Sequence, residues 1–248
     1  MKHFILYVLI SFSISQLITA QSNQNYLLGV EGKINTAFAE SFKQNNVSSL
    51  LKVIDDISLI NDQGNTHWKE YWMAYALYKR SMFNAYCKTP NEEKGKADVE
   101  EAINMLKGVN NKNAEDYALL GMMKGFSLQW KSFIAMAKQS SIATKWAKAA
   151  VELDDQNPRA QYVFGNNDFH TPSIFGGGKK ADKSLTRAIA LFKESIPNPL
   201  MPSWGMDEAY YMLVRTKNKA DDNEGAATVL ANALDLFPDN RRLQSLKK

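Results

Sequence analysis

The sequence predicts an all-α protein in which about ten helices pair into about five antiparallel helical hairpins of an α-solenoid. Apolar residues recur at helical spacing through almost all of residues 26–248, and short turn signals separate the apolar stripes. No stretch between these signals alternates convincingly as a β-strand. The chain has 248 residues, of which 45% are hydrophobic, so it is long enough for one large core. We expect residues 21–248 to form a single helical domain.

The first twenty residues differ from the rest and predict a secretory signal peptide. Lys2 and His3 make a basic start, residues 4–9 are apolar, and the small residue Ala20 stands at the expected cleavage point. A membrane anchor is the alternative, but it needs about 20 predominantly apolar residues, and serines interrupt this run. We therefore expect residues 1–20 to be removed and the product to be periplasmic or extracellular. No stable membrane insertion is expected after this cleavage.

Four apolar stripes predict the helices of the N-terminal half. They are Ile34, Ala37, Phe38 and Phe42; Val47, Leu50, Leu51, Ile54 and Ile57; Trp68, Tyr71, Trp72, Tyr75, Met82 and Phe83; and Val99, Ala102, Ile103 and Leu106. The third stripe is strongly aromatic, which is typical either of an interface anchor or of packing between hairpins. We favour packing, because helical periodicity places the rings on one inward face. Tyr78 lies off that face and is expected to be exposed.

Turn and capping residues delimit the helices. Thr89 is predicted to cap a helix whose first residue is Pro90, and Asn157 stands in the same relation to Pro158. Gly108 is predicted to end a helix. The lone Cys87 excludes an intrachain disulfide and is expected to be a buried structural thiol.

Residues in the C-terminal half repeat in a fixed pattern. A first helix over residues 207–214 is followed by small and bulky residues at helical spacing: Ala226, Leu230, Ala233, Leu234 and Leu236, and then Pro238. Gly121 and Gly165 each occupy one position of a similar first helix, where a small residue lets two helices approach closely. This pattern resembles the tetratricopeptide repeat (TPR), most clearly over residues 113–158, 158–195 and 206–238. The resemblance implies a TPR-like α-solenoid, in which neighbouring hairpins stack to bury a continuous core.

A second, narrower resemblance involves the glycine-rich segment 171–181. Its proline, glycine run and following alanine are similar to a segment of exported TPR proteins, among them periplasmic TPR proteins that accompany tripartite substrate-binding transporters. This resemblance implies a binding or scaffolding role in the cell envelope, with no known catalytic residue. The segment is not a phosphate-binding loop, because Lys180 stands where that motif needs Ser or Thr.

The remaining chemistry argues against an enzyme and against a resident cofactor. His67 and His170 are far apart in the sequence, and no zinc-binding spacing of His, Cys and carboxylates occurs. We therefore expect no catalytic residue, no metal and no cofactor. The chain carries 30 Lys and Arg against 26 Asp and Glu, and this net charge of +4 is too small to predict a nucleic-acid partner.

The TPR resemblance also implies where a partner binds, because the first helix of each hairpin lines a concave groove. The residues that face this groove would be Met122, Phe126, Tyr162, Asn166, His170, Glu208, Tyr211 and Arg215. Arg215 can pair with a carboxylate in a bidentate manner. The alternative is that these side chains line a water-filled groove that binds no partner. Residues 167–180 are expected to form a long loop that folds over the groove or caps it.

Two functions remain open at this point. The first is a non-enzymatic exported protein or peptide binder that works through the helical groove. The alternative is a small-molecule binding protein, accessory to an envelope transporter, that takes an organic anion. An open channel would favour the first function, and an enclosed apolar cavity with Arg215 or His170 in its wall would favour the second.

Overall fold

A computed structural model describes residues 27–60 and 66–247 of the chain. Within these ranges the chain forms α-helices and short 3-10 turns and no β-strand, which confirms the predicted all-α class. The signal peptide expected at residues 1–20 lies outside the described residues. The helices are α1 (Val30–Gln44), α2 (Ser48–Ser58), α3 (Thr66–Tyr86), α4 (Glu92–Gly108), α5 (Ala114–Ser127), α6 (Phe133–Leu153), α7 (Pro158–His170), α8 (Ala181–Glu194), α9 (Met206–Lys219), α10 (Asn223–Leu236) and α11 (Arg241–Gln244).

The described helices pair in chain order into five hairpins: α1 with α2, α3 with α4, α5 with α6, α7 with α8, and α9 with α10. The number of hairpins agrees with the prediction. The chain divides into two compact units, which we call the first unit (the described residues up to 109, with 198–201) and the second unit (residues 110–197 and 202–247). The single domain expected over residues 21–248 stays a prediction.

The core of the first unit is built from the aromatic face of α3. Tyr71, Trp72 and Tyr75 are fully buried, and successive rings meet edge to face, with centroids 5.1 Å and 5.8 Å apart. This confirms that the aromatic stripe is core packing. Tyr78, however, is also buried, so the expectation that it is exposed was wrong. The reason is that α1, α2 and α4 all pack against α3 and leave no side of residues 71–78 open to water.

A buried carboxylate joins the two helices of the second hairpin. Asp98 on α4 accepts a hydrogen bond from the Arg80 guanidinium at 2.7 Å and another from the Asn84 amide at 2.8 Å. Both donors lie on α3, and the Ser81 hydroxyl on the same helix donates to the Gly95 carbonyl. These bonds satisfy the polar groups that the hairpin buries, as a buried charge requires.

The helix boundaries follow the capping signals with one exception. Asn157 caps α7 by accepting from the Ala160 N–H at 2.9 Å, and α4 ends at Gly108, both as predicted. The prediction that Thr89 caps a helix starting at Pro90 was wrong by two residues. Asn91 is the cap instead: its backbone is extended and its side chain accepts from the Lys94 N–H at 2.9 Å, so α4 begins at Glu92.

Close contacts at small residues hold the hairpins of the second unit together. A Cβ at Gly121 on α5 would lie 3.1 Å from the Ala147 nitrogen on α6 and 3.2 Å from Val163 Cγ1 on α7. A Cβ at Gly165 would lie 2.9 Å from Leu185 Cγ on α8. All three distances are shorter than ordinary contact, so only glycine fits at these two positions without a shift of its neighbours. The prediction that these positions permit close approach is confirmed.

A buried ion pair connects two successive hairpins of the second unit. The carboxylate of Glu115, in the first turn of α5, accepts two hydrogen bonds from the Arg159 guanidinium, each 2.6 Å long. It also accepts one from the Asn157 amide at 2.6 Å. Because all three side chains are buried, this bidentate pair fixes the start of α7 against the start of α5.

Candidate binding face of the second unit

The first helices of the three hairpins in the second unit, α5, α7 and α9, provide the face on which the sequence places a partner. The ends of α5 and α7 lie side by side, because a Cβ at Gly125 would be 2.9 Å from Asn167 Oδ1. The ends of α7 and α9 are also adjacent, since the Lys219 ammonium lies 4.9 Å from the centre of the Phe169 ring. The three helices therefore run in the same direction and end at one edge.

Most of the predicted face residues keep part of their side chain accessible. Half-buried positions are Met122, Phe126, Asn166, Glu208, Tyr211 and Arg215, and His170 is exposed at the end of α7. Tyr162 is a correction: it is buried. The Trp204 ring, contributed by the segment before α9, meets Tyr162 edge-on at 6.3 Å and covers it.

Three of the predicted residues come together with three others in what we call the basic–aromatic cluster. The Arg215 guanidinium lies between two rings, 5.0 Å from the centre of Phe169 and 5.6 Å from that of Tyr211. Lys219 lies over Phe169, and the Arg242 guanidinium lies 4.1 Å from the centre of the Tyr211 ring. The members of the cluster are Phe169, His170, Tyr211, Arg215, Lys219 and Arg242.

The cations of the cluster are held by rings rather than by carboxylates. Within the described residues, Arg215, Lys219 and Arg242 form no ion pair with Asp or Glu. Lys217 on the same helix differs, because its ammonium lies 3.1 Å from both Asp222 and Asp182. Hydrogen bonds to Asp222 and then to Asp182 raise the pKa of Lys217 above its usual range. The charge available to a ligand therefore lies in the cluster and not at Lys217.

His170 responds electrostatically to the cations beside it. His170 keeps part of its surface exposed, but desolvation of the rest of the ring, followed by the positive charges of Arg215 and Lys219, lowers the pKa of His170 below its ordinary value of 6.5. The imidazole is thus neutral at neutral pH. An anion bound at the cluster would offset the two cationic charges and favour protonation of His170.

Sequence reasoning missed part of this cluster and misjudged the loop beside it. Helix α7 continues to His170, so the loop is residues 171–180 and not 167–180. The Thr171 hydroxyl ends the helix by donating to the Asn167 carbonyl at 2.8 Å. Lys219 lies one turn beyond Arg215 on the same face of α9, past the last position that the repeat pattern singles out, and Arg242 lies on α11, beyond the last repeat. That the loop has a binding role stays a prediction.

The glycine run forms a tight turn into the next helix. The Asp168 carboxylate accepts from the backbone N–H groups of Lys180 and Ala181, at 2.7 Å and 2.9 Å, and so caps the start of α8. A Cβ at Gly177 would lie 2.0 Å from the Thr171 carbonyl oxygen, which admits only glycine. The segment is therefore a tight turn that leads from α7 into α8.

An open groove of about 480 Å³ lies between α8, α9 and α10 of the second unit. Its walls mix apolar and polar side chains and do not include Arg215 or His170. The lining residues are Phe192, Lys193, Met206, Asn232, Asp235 and Leu236. Elsewhere in the ranges that the structure describes, no group of three His, Cys, Asp or Glu side chains is placed to hold a metal ion.

Comparison with known proteins identifies the fold. No protein-family model matches the chain, and no curated protein does at the level of sequence. TTC0263, a thermophilic TPR protein of Thermus thermophilus, is similar with a TM-score of 0.57 and 15% identity, over 90% of this chain and 95% of its own. The haemophore HusA from Porphyromonas gingivalis is similar with a TM-score of 0.56 and 18% identity, over 75% and 92%. The chain therefore has a TPR-like fold, which confirms the predicted α-solenoid.

Proposed function

We propose that this chain is an exported, non-enzymatic helical-repeat protein that binds an acidic segment of another protein through the basic–aromatic cluster. The TPR-like fold is a scaffold suited to protein interaction. The observation that carries the proposal is that Arg215, Lys219 and Arg242 stack on two aromatic rings without forming a carboxylate pair in the described part of the chain.

The chemistry of the cluster fits carboxylates presented by a chain. Stacking on Phe169 and Tyr211 orients the Arg215 guanidinium and leaves its edge available for bidentate hydrogen bonds. An acidic ligand has no ion pair to break there, because the cations rest on rings. Three cations spread over α9 and α11 can meet more than one acidic side chain, which favours a peptide segment over a single carboxylate.

The alternative, carriage of a small organic anion for an envelope transporter, is less well supported. Sites for small molecules are enclosed and mostly apolar. The groove between α8, α9 and α10 is open and has Asp235 in its wall, and the cations Arg215 and Arg242 are not among its lining residues. The likeness to the haemophore HusA concerns the fold alone at 18% identity.

The experiment is a binding titration with two fluorescent peptides of equal length, one rich in Asp and Glu and one rich in Lys. We expect the mature protein to bind the acidic peptide, and Arg242→Ala to weaken that binding about ten-fold, since each tenfold corresponds to about 1.4 kcal/mol. Arg241→Ala is the matched control, because Arg241 is its exposed neighbour on the same short helix. Equal binding of both peptides, or equal losses in both variants, would refute the proposal.

Arg215→Ala tests the centre of the cluster. We expect it to weaken acidic-peptide binding at least as much as Arg242→Ala while the melting temperature stays near that of the unaltered protein. The reason is that Arg215 is half-buried on rings and makes no buried ion pair. Unfolding of this variant would instead place Arg215 in the structural core.

Export is tested on the natural protein. We expect N-terminal mass spectrometry of material from the native cell envelope or medium to find the chain starting at Gln21. Retention of residues 1–20 in all of the protein would contradict this part of the proposal.

A further inference from the structure

Two hairpin loops of the second unit present apolar side chains to solvent. Phe133 and Ile134, at the start of α6, are 72% and 83% exposed. Ile174 and Phe175, in the loop between α7 and α8, are 85% and 57% exposed. Single exposed apolar residues are common, but two adjacent pairs on neighbouring loops are a feature that interaction surfaces show.

Both loops lie at the same edge of the unit. Each follows the end of a first helix, and the ends of α5 and α7 are adjacent at Gly125 and Asn167. The Lys124 ammonium, at the end of α5, donates to the Gln139 side chain at 2.6 Å and ties the start of α6 to this edge. We call residues 128–136 and 171–180 together the loop edge.

The loop edge is basic as well as apolar. Its residues include Lys131, Lys179 and Lys180 and no Asp or Glu. Asp168, which precedes the second loop, uses its carboxylate on two backbone N–H groups at the start of α8. The loop edge therefore combines protruding apolar tips with positive charge.

We infer that the loop edge docks on an anionic lipid surface. Separate protruding tips match a fluid interface, which closes around each side chain, whereas a folded protein partner would need a pocket for each. Lys179, beside the second pair of tips, can keep its stem on the apolar part and its ammonium group at the lipid phosphates. Attachment of this kind is peripheral, and the structure contains no helix, among the residues it describes, that is long and apolar enough to cross a membrane.

The test is flotation of the full mature chain with vesicles of phosphatidylcholine containing about a third phosphatidylglycerol, against vesicles of phosphatidylcholine alone. We expect flotation with the anionic vesicles, weakening as salt is raised. The double variants Phe133→Ser with Ile134→Ser, and Ile174→Ser with Phe175→Ser, should each lower the bound fraction about ten-fold, because the inserted apolar surface is lost.

The matched control is Ile196→Ser. Ile196 is 90% exposed, but it follows the end of α8, which runs back from the loop edge to the opposite end of its hairpin. The Ile196→Ser variant should float as the unaltered protein does. A separate variant, Lys179→Glu, should lose binding selectively to the anionic vesicles.

No flotation at either composition would overturn the inference and would be the result if the edge docks on a protein. Equal flotation with both vesicle types, or a loss at Ile196→Ser equal to that of the tip variants, would overturn it as well. Because the tips lie outside the basic–aromatic cluster, acidic-peptide binding should be unchanged in the tip variants, so the two proposals fail independently.

Discussion

The first unit fills the space around α3 with large aromatic rings, whereas the second unit lets its helices touch at positions with almost no side chain. Trp72 and its neighbours fill the space between α3 and the helices packed on it, and Gly121 and Gly165 let the later helices touch. Both arrangements produce antiparallel hairpins. The first unit therefore depends on large side chains that fill its core, and the second depends on small residues where its helices touch. Substitutions that remove side-chain volume should destabilise the first unit, and substitutions that add volume should destabilise the second.

Removal of volume from the first unit should have the largest effect. Trp72→Ala should lower the free energy of unfolding by about 3–5 kcal/mol, because it leaves a cavity that three packed helices cannot close. Urea denaturation followed by circular dichroism measures this. Tyr86→Ala, at an exposed position of the same helix, should change the value by less than about 0.5 kcal/mol. A small loss at Trp72 would mean that the aromatic face is not the core.

The buried carboxylates of Asp98 and Glu115 sharpen the comparison. Glu115→Ala should cost about 3–5 kcal/mol, because it leaves the buried Arg159 charge without its partner. Asp98→Ala should cost less, about 1–3 kcal/mol, since Arg80 is less deeply buried and can reach water. The same denaturation experiment ranks them. If Asp98→Ala were the more damaging change, the burial seen for these two pairs would not govern their energetics.

Addition of volume should damage the second unit. Gly165→Ala should lower the free energy of unfolding by about 1–3 kcal/mol, because the new methyl group would overlap Leu185. Gly108→Ala in the first unit is the matched control, since no atom lies within 4 Å of the position its Cβ would take. It should be neutral or slightly stabilising. Equal melting temperatures for both variants would show that the second unit does not need its small residues.

The smallest expected effect is a pH dependence centred on His170. Its lowered pKa means that the folded state binds fewer protons than the unfolded state just below pH 6.5. The free energy of unfolding should therefore be constant above that pH and fall slightly as the pH drops toward the lowered pKa. His170→Gln should reduce this slope, and a parallel pH series of melting temperatures for both proteins checks it. Identical slopes would show that the pKa of His170 is not lowered in the folded protein.

Local signals predicted much of the fold, and the failures occur where the folded structure decides between local alternatives. The Asn157 cap was predicted because capping acts within one turn of chain. Gly121 and Gly165 were predicted because the repeat pattern places a small residue where two helices approach closely. Tyr78 and Tyr162 were misplaced because burial depends on which distant segment covers a ring. In the case of Tyr162 that segment carries Trp204, which no repeat position predicts. The start of α4 was missed because Thr89 and Asn91 are both good caps, and only the folded backbone selects between them.

The candidate site shows the same limit: contacts along one helix could be predicted from the sequence, and contacts between distant segments could not. Tyr211 and Arg215 lie one helical turn apart, so their proximity follows from the sequence, and His170 follows from the repeat register. Arg242 reaches Tyr211 across a gap of about thirty residues, through a short helix outside any repeat. The stacking of cations on Phe169 depends on the ends of two helices meeting, which spacing along the chain does not reveal.

The ion pair of Glu115 also bears on how this protein can be cut or shortened. Its two halves belong to different hairpins, so neither hairpin carries a complete set of bonding partners. A fragment that starts at Pro158 would keep the Arg159 guanidinium and lose the Glu115 carboxylate. A fragment that ends before Pro158 would keep the Glu115 carboxylate without its partner. The third and fourth hairpins should therefore be kept together, and no chimaera or truncation should be joined between residues 113 and 195.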